Sequence, residues 1–204
     1  MKMDDVKVIA WDFDGVLNNN IENGRFVWSR TFERDLGLPL ADFHTYLFHG
    51  RFQQAMVGDA DLKDLISDWL KTHDTAHSAD DILDYWFARD ALTDAQMLSC
   101  LKQVNIRGRR NIIATNNEVY RANYIEHDMG FSQHVDQIFA AGRMRIAKPS
   151  LDYFKHIEQA LRLPPSAFLL IDDMAENIDA AWQAGWKAHH HTENNYTDLA
   201  RILL

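Results

Sequence analysis

The chain has 204 residues, 47% of them apolar and 25% charged, with 30 acidic against 21 basic side chains and a formal net charge of −9. Those proportions exclude a disordered chain, and the acidic balance argues against a nucleic-acid partner. No stretch approaches the roughly 20 apolar residues of a membrane span, so no membrane partner is expected. Cys100 is the single cysteine, which rules out an intrachain disulfide, and MKMDDVKVIAWDF carries acids where a signal peptide needs an apolar run. A cytoplasmic protein, monomeric or homodimeric, is expected.

The first predicted element is a buried strand, KVIAWDF (7–13), which ends in Asp12, Asp14 and Gly15. Residues 20–90 then offer no strand but several helical stretches: FVWSRTFERDL, LADFHTYLFHGRFQQAM, DADLKDLISDWLKT and ADDILDYWFARD. Thr93 is a candidate N-cap for DAQMLSCLKQV, with Leu98, Leu101 and Val104 at helical spacing. The basic RGRR (107–110) reads as a solvated turn before the strand NIIAT (111–115). Asn116 or Asn117 can cap EVYRANYIEHDM, which Gly130 closes. A strand QIFAA (137–141) follows, and Pro149 suits the first turn of SLDYFKHIEQALRL. The strand AFLLID (167–172) leads into MAENIDAAWQAG, whose apolar face is Ile178, Ala181 and Trp182 and whose stop is Gly185. A weaker strand, WKAHHH (186–191), ends the series.

Helices and strands alternate from residue 93 onward, which predicts an α/β fold: a doubly wound parallel sheet, Rossmann-like, with an inserted helical cap. The core takes residues 1–18 and 92–204, and the cap residues 19–91. An insertion after the first strand belongs over the carboxyl ends of the strands, where ligands bind in such sheets.

Four features fall at strand ends. Asp12 and Asp14 alternate with Trp11 and Phe13, so both project to one side. Thr115 ends a strand just before a helix, where a hydroxyl and free N–H groups can hold an anion. Lys148 precedes Pro149, which biases it toward an extended conformation. Asp172 and Asp173 close the fourth strand. Each alone has an ordinary structural explanation: a solvated strand end, a cap, a loop, compensation of a helix dipole. Together, and in this order, they are unlike a chance set.

The set Asp12-x-Asp14, Thr115, Lys148-Pro149 and Asp172-Asp173 resembles the four motifs of the haloacid dehalogenase superfamily. The likeness extends to DMGF before the third motif and ENIDAAWQAG after the fourth. The insert is similar to that family's small helical cap. Its FHGRFQQAMVGDADLKDLISDWL rhythm is similar to the branch with sugar-phosphate phosphatases and the phosphatase domain of soluble epoxide hydrolases. The resemblance implies a Mg²⁺-dependent phosphatase acting on a small phosphorylated metabolite, with a sugar monophosphate as the expected substrate. Asp12 would be the nucleophile that becomes an aspartyl phosphate, and Asp14 the general acid and base. Lys148, Thr115 and the Asn116 N–H would bind phosphate oxygens. Asp12, the Asp14 carbonyl and Asp173 would ligate Mg²⁺, with Asp172 holding a metal-bound water.

Rival readings are a phosphomutase, a 2-haloacid dehalogenase, or a binding module that kept the fold. Asp14 speaks against the dehalogenase, because a departing halide needs no proton. Asn18 to Asn20 depart from the family pattern and are expected at the substrate entrance or in a hinge between core and cap. His49, Arg51 and Gln54 are expected to be surface groups, and Trp28, Phe32, Phe43, Tyr46, Phe48, Trp69 and Trp86 to form the cap's interior. His189, His190 and His191 alternate faces and so are not expected to share a metal ion.

Overall fold

A computed structural model describes residues 3–192 and 195–203. Residues 1, 2, 193, 194 and 204 belong to the expected core segments and lie outside the described residues. The strands β1 (Val8–Trp11), β4 (Arg110–Thr115), β5 (Gln137–Ala140), β6 (Phe168–Asp172) and β7 (Lys187–His190) form one sheet. Its order is β5-β4-β1-β6-β7 and every pairing is parallel. β1 is central, because the chain winds outward first to one side of it and then to the other.

Both faces of the sheet are covered, which is why its strands read as unbroken apolar runs. Along β1, Ile9 and Trp11 pack on one layer with Met97, Leu101, Val104, Ile125 and Phe131. Val8 and Ala10 pack on the other with Tyr153, Phe154, Ile157, Ile178 and Trp186. The first layer comes mainly from α6 (Ala95–Ile106), α7 (Val119–His127) and α11 (Tyr196–Leu203), and the second from α9 (Leu151–Leu161) and α10 (Ala175–Gln183). A one-turn helix, α8 (Ala141–Met144), follows β5.

The helix ends depart from expectation in instructive ways. Asp94, not Thr93, caps α6 by accepting from the Met97 N–H, while Thr93 bridges to Asn18. Glu118 caps α7 through the Tyr120 and Arg121 N–H groups, so neither Asn116 nor Asn117 serves as the cap. Ser150 caps α9, which leaves Pro149 ahead of the helix rather than in its first turn. Asn116 and Asn117 are claimed instead by bonds to Lys148, Asp14 and Thr115, which compete with local capping. Trp182 is 57% exposed and does not share the buried face of Ile178 and Ala181.

The insert carries α1 (Phe32–Leu36), α2 (Leu40–Tyr46), α3 (Phe52–Met56), α4 (Leu62–Leu70) and α5 (Ala79–Arg89). It begins with a two-stranded ribbon, β2 (Ile21–Glu22) and β3 (Arg25–Phe26), that the sequence pattern does not suggest. Two-residue strands are too short to leave a periodic signal. α5 starts at a capping box in which Ser78 and Asp81 exchange hydrogen bonds. Trp28, Phe32, Phe43 and Trp69 are fully buried in the cap's own core, together with Leu47, Ile66 and Ile82. Tyr46 is exposed and lies outside that core, and Phe48 is only half-buried.

Candidate active site

Asp12 follows directly on β1, and its N–H still bonds the Ile171 carbonyl of β6 at 2.8 Å. The backbone then turns sharply. Gly15 sits at φ +76, and a Cβ there would lie 2.7 Å from the Asp173 carboxylate. Only glycine meets both demands. The turn brings Asp12 and Asp14 to the same end of the sheet but gives them different partners.

Asp12 faces Lys148, with Nζ 3.1 Å from its carboxylate. The same ammonium donates to Asp172 at 2.6 Å and to the Ala114 carbonyl at 2.7 Å. All three N–H bonds of this fully buried side chain are therefore in use. Burial works to lower the Lys148 pKa, but Asp12 and Asp172 outweigh it and hold the ammonium above its ordinary value. Burial also pushes Asp12 well above the carboxylate range; Lys148 opposes this, and Asp172 and Asp173 add to it. Asp173, half-buried, is raised by burial and then by Asp172. Three carboxylates thus crowd one ammonium.

Asp12, Asp172 and Asp173 each place an oxygen within 4.8 Å of the others. An all-oxygen, negatively charged cluster with a single counter-cation is the donor set that suits a hard divalent ion such as Mg²⁺. Asp172 is also structural, since it accepts from Lys148, from the Met174 N–H and from the Asn177 amide, and so anchors the lysine. His190, exposed on the last strand, donates from Nε2 to the Asp173 carbonyl at 2.8 Å. Asn177 and His190 stabilise this end of the site, and neither stands out in the sequence as a site residue.

Thr115 is buried at the end of β4 and accepts from the Asn117 amide at 2.8 Å, which leaves its own O–H to donate. Asn116 clasps Lys148 with both ends of its amide, donating to the Lys148 carbonyl and accepting from its N–H. The third motif is thereby locked to the second.

Asp14 is held by three amides: Asn18 at 3.2 Å, Asn20 at 2.8 Å and Asn117 at 3.0 Å. Asn19 is exposed, whereas Asn18 and Asn20 are fully buried and so line no entrance. They tie Asp14 to Asp90, just past α5, whose carboxylate and carbonyl also accept from the buried Arg121. Burial, and then Asp14, pushes Asp90 up to about 7, against the pull of Arg121 and Asn20. Sequence reasoning misses this second polar network. Arg121 does leave a trace, as a charge on the buried side of α7. Asp90 leaves none.

The remaining polar features are peripheral. His49, Arg51 and Gln54 are exposed, as expected, with Arg51 bonded to Gln54. In RGRR, Arg110 pairs with Asp136 and Arg109 donates to the Leu203 carbonyl. His189 and His191 are both lowered by burial, and neither belongs to the carboxylate cluster, although the His191 N–H bonds the Asp172 carbonyl at 2.8 Å. Two clefts adjoin the site. One of about 650 Å³ lies between the ribbon, the Leu92–Met97 segment, His191 and Tyr196, and touches Gly15 but none of the site's carboxylates. The other, about 140 Å³, opens directly on Asp14, Asn116 and Asn117 beneath the cap. The smaller cleft lies over the strand ends, where ligands bind in doubly wound sheets.

Comparison with known proteins fits this geometry. The chain is 25% identical over 195 residues to phosphatase MT3486 of Mycobacterium tuberculosis, covering 90% of this chain and 86% of that one. It is 27% identical over 106 residues, about half of each chain, to the sesquiterpene phosphatase astK of Aspergillus oryzae. Its fold is similar to that of a haloacid dehalogenase family enzyme of Bacteroides thetaiotaomicron crystallised with magnesium and inorganic phosphate. That match has a TM-score of 0.77 at 16% identity and covers 93% and 96% of the two chains. It is also similar to L-2-haloacid dehalogenase of Xanthobacter autotrophicus, with a TM-score of 0.62 at 16% identity over 90% and 76% of the two chains. The model of the haloacid dehalogenase-like hydrolases matches residues 6–185, nearly the whole of the described core and cap, and the chain belongs to that family of hydrolases.

Proposed function

We propose that the protein is a Mg²⁺-dependent phosphatase of small phosphorylated metabolites, working through an aspartyl phosphate on Asp12. The observation that carries this reading is that the ends of β1, β4 and β6 meet the segment between α8 and α9, with Lys148 Nζ 3.1 Å from Asp12 and 2.6 Å from Asp172. Phosphate monoesters hydrolyse extremely slowly in water, and two displacements through a carboxylate nucleophile divide that barrier. Asp12 is the carboxylate at the centre of the cluster and attacks phosphorus. Asp14, held in place by Asn18, Asn20 and Asn117, faces the smaller cleft and protonates the departing oxygen, then takes a proton from the attacking water. Lys148 offsets negative charge beside Asp12, and the Thr115 hydroxyl donates to a phosphate oxygen. Asp12, the Asp14 carbonyl and Asp173 would hold Mg²⁺, which when bound screens the anionic ester from the anionic nucleophile. The core is proposed to take residues 1–18 and 92–204, and the cap 19–91. The sugar monophosphate expected from the sequence is one ester of the proposed class, and the phosphatase names of two relatives support the class as a whole.

Hydrolysis of para-nitrophenyl phosphate tests the reading. The expected result is turnover that requires Mg²⁺ and falls by about 10⁴-fold or more in Asp12→Asn, with circular dichroism unchanged. Halide release from a 2-haloacid, without phosphate release from any ester, would replace it with the dehalogenase.

A further inference from the structure

The cleft over Asp14 is two-sided. Its core side is Asp14, Asn116, Asn117, Glu118 and Arg121, and its cap side is five aromatic rings, Phe26, Phe48, Phe52, Trp86 and Phe87, with Asp90 beside them. The cap rings form one continuous wall, with centroids 4.8 Å apart for Phe48–Phe52, 5.5 Å for Phe48–Trp86 and 5.7 Å for Trp86–Phe87. Phe26 is 42% exposed at the rim, so the wall continues from the buried end of the cleft to solvent.

Most polar groups of this cleft are engaged within the protein itself, although Asp90 Oδ1, which is buried, has no partner among the described residues. Both ends of the Asn116 amide are bonded to Lys148. The Asn117 amide donates to Asp14 and Thr115. Glu118 accepts two backbone N–H groups at the start of α7. Arg121 donates to the Phe87 and Asp90 carbonyls and to the Asp90 carboxylate. A polyhydroxylated leaving group placed here would find few free partners, at roughly 1–3 kcal/mol for each hydroxyl left unpaired. The cap side, by contrast, offers mostly aromatic surface, with Phe26, Phe48 and Phe52 the more exposed of its rings. A cavity near 150 Å³ is known to take a benzene-sized ring, and this one measures about 140 Å³.

Resting on the phosphatase reading above, the geometry points to a monoester of an apolar alcohol or phenol as the substrate class. Its phosphate sits at Asp12 and Lys148, its bridging oxygen at Asp14, and its hydrocarbon against Phe48, Phe52, Trp86 and Phe87. Phe52 and Trp86 are then specificity residues, acting on the part of the substrate that does not react.

The experiment compares kcat/KM for 1-naphthyl phosphate and n-octyl phosphate with that for glucose 6-phosphate and glycerol 3-phosphate, in the full chain with Mg²⁺. The expected result is a preference of about 30-fold or more for the apolar esters, the scale set by one or two unpaired hydroxyls. In Phe52→Gln the ratio of naphthyl to glycerol ester should shrink about tenfold; the wild-type ranking stands as the test if that variant does not fold. The two apolar esters distinguish a flat ring from a flexible chain as the preferred occupant. Equal or better turnover of glucose 6-phosphate would overturn the apolar class and leave the phosphatase reading intact. No turnover of any of the four esters, nor of para-nitrophenyl phosphate, would overturn both.

Discussion

The two walls of the cleft bury their side chains by opposite means. On the core side, Asp12, Lys148 and Asp172 are taken out of water as charges, each given a partner at 2.6–3.1 Å. On the cap side, Phe52, Trp86 and Phe87 form an aromatic wall whose rings need no hydrogen-bond partner. The difference divides the labour. A charge cluster is intolerant: every member depends on the others, and removing one leaves an uncompensated ion. A ring wall is tolerant, since its contacts are small and many. Chemistry is expected to reside in the first and choice of substrate in the second.

The sharpest way to break that contrast is Lys148→Met. It leaves Asp12 and Asp172 buried against an apolar chain, and the expected loss is about 3–5 kcal/mol of stability, read by thermal or urea denaturation. A variant as stable as the parent would mean that the ammonium does not balance the cluster.

Glu118 tests the contrast from another side, because among the described residues it is a buried carboxylate in no ion pair. Burial pushes it up to about 7 from an ordinary 4.5, against two backbone N–H groups and Arg121 that pull it down. A carboxyl raised in the folded state contributes stability that is complete below about 4.5 and is lost as pH climbs through about 7. Wild type should therefore lose stability relative to Glu118→Gln between pH 5 and pH 8, by up to about 3 kcal/mol. A pH-independent gap between the two would remove the effect.

Divalent ions offer a third measure. At about 100 times its Kd, Mg²⁺ should stabilise the wild type by about 2.7 kcal/mol, and far less in Asp173→Asn. Differential scanning fluorimetry reads this without any turnover. Equal stabilisation of the two proteins would place the ion elsewhere.

The smallest expected effect is that of Asn20→Ala. This residue touches Asp14 and Asp90 but neither Asp12 nor Lys148. We expect kcat to fall about tenfold with KM little changed, because a loosened Asp14 acts after binding. A change confined to KM would make Asn20 a binding residue instead of a positioning one.

What can be read in the sequence follows the same division. Asp12, Thr115, Lys148 and Asp172 each announce themselves locally, as a polar residue at the end of an apolar run or beside a proline, and their strands pair in parallel as the alternation implies. The Asp14 network does not announce itself. Asn18 and Asp90 are 72 residues apart in the chain and meet only once α5 returns to the core, so no short window contains the signal. The asparagine run is visible as an oddity, but its burial is not. The cap's aromatic content is equally plain, whereas the selection of Phe48, Phe52 and Trp86 to face the cleft depends on how the helices pack. Periodicity finds a buried face; it does not say which ring of that face borders an opening.

The saturation of Lys148 carries one more consequence. With its three hydrogens bound to the Ala114 carbonyl, Asp172 and Asp12, it has nothing spare for an arriving oxygen. A phosphate can enlist this lysine only by exchange, and the longest of the three contacts, the one to Asp12, is the first to yield. On the phosphatase reading proposed above, arrival of the ester would then loosen the ammonium's hold on the Asp12 carboxylate just as its target came into place.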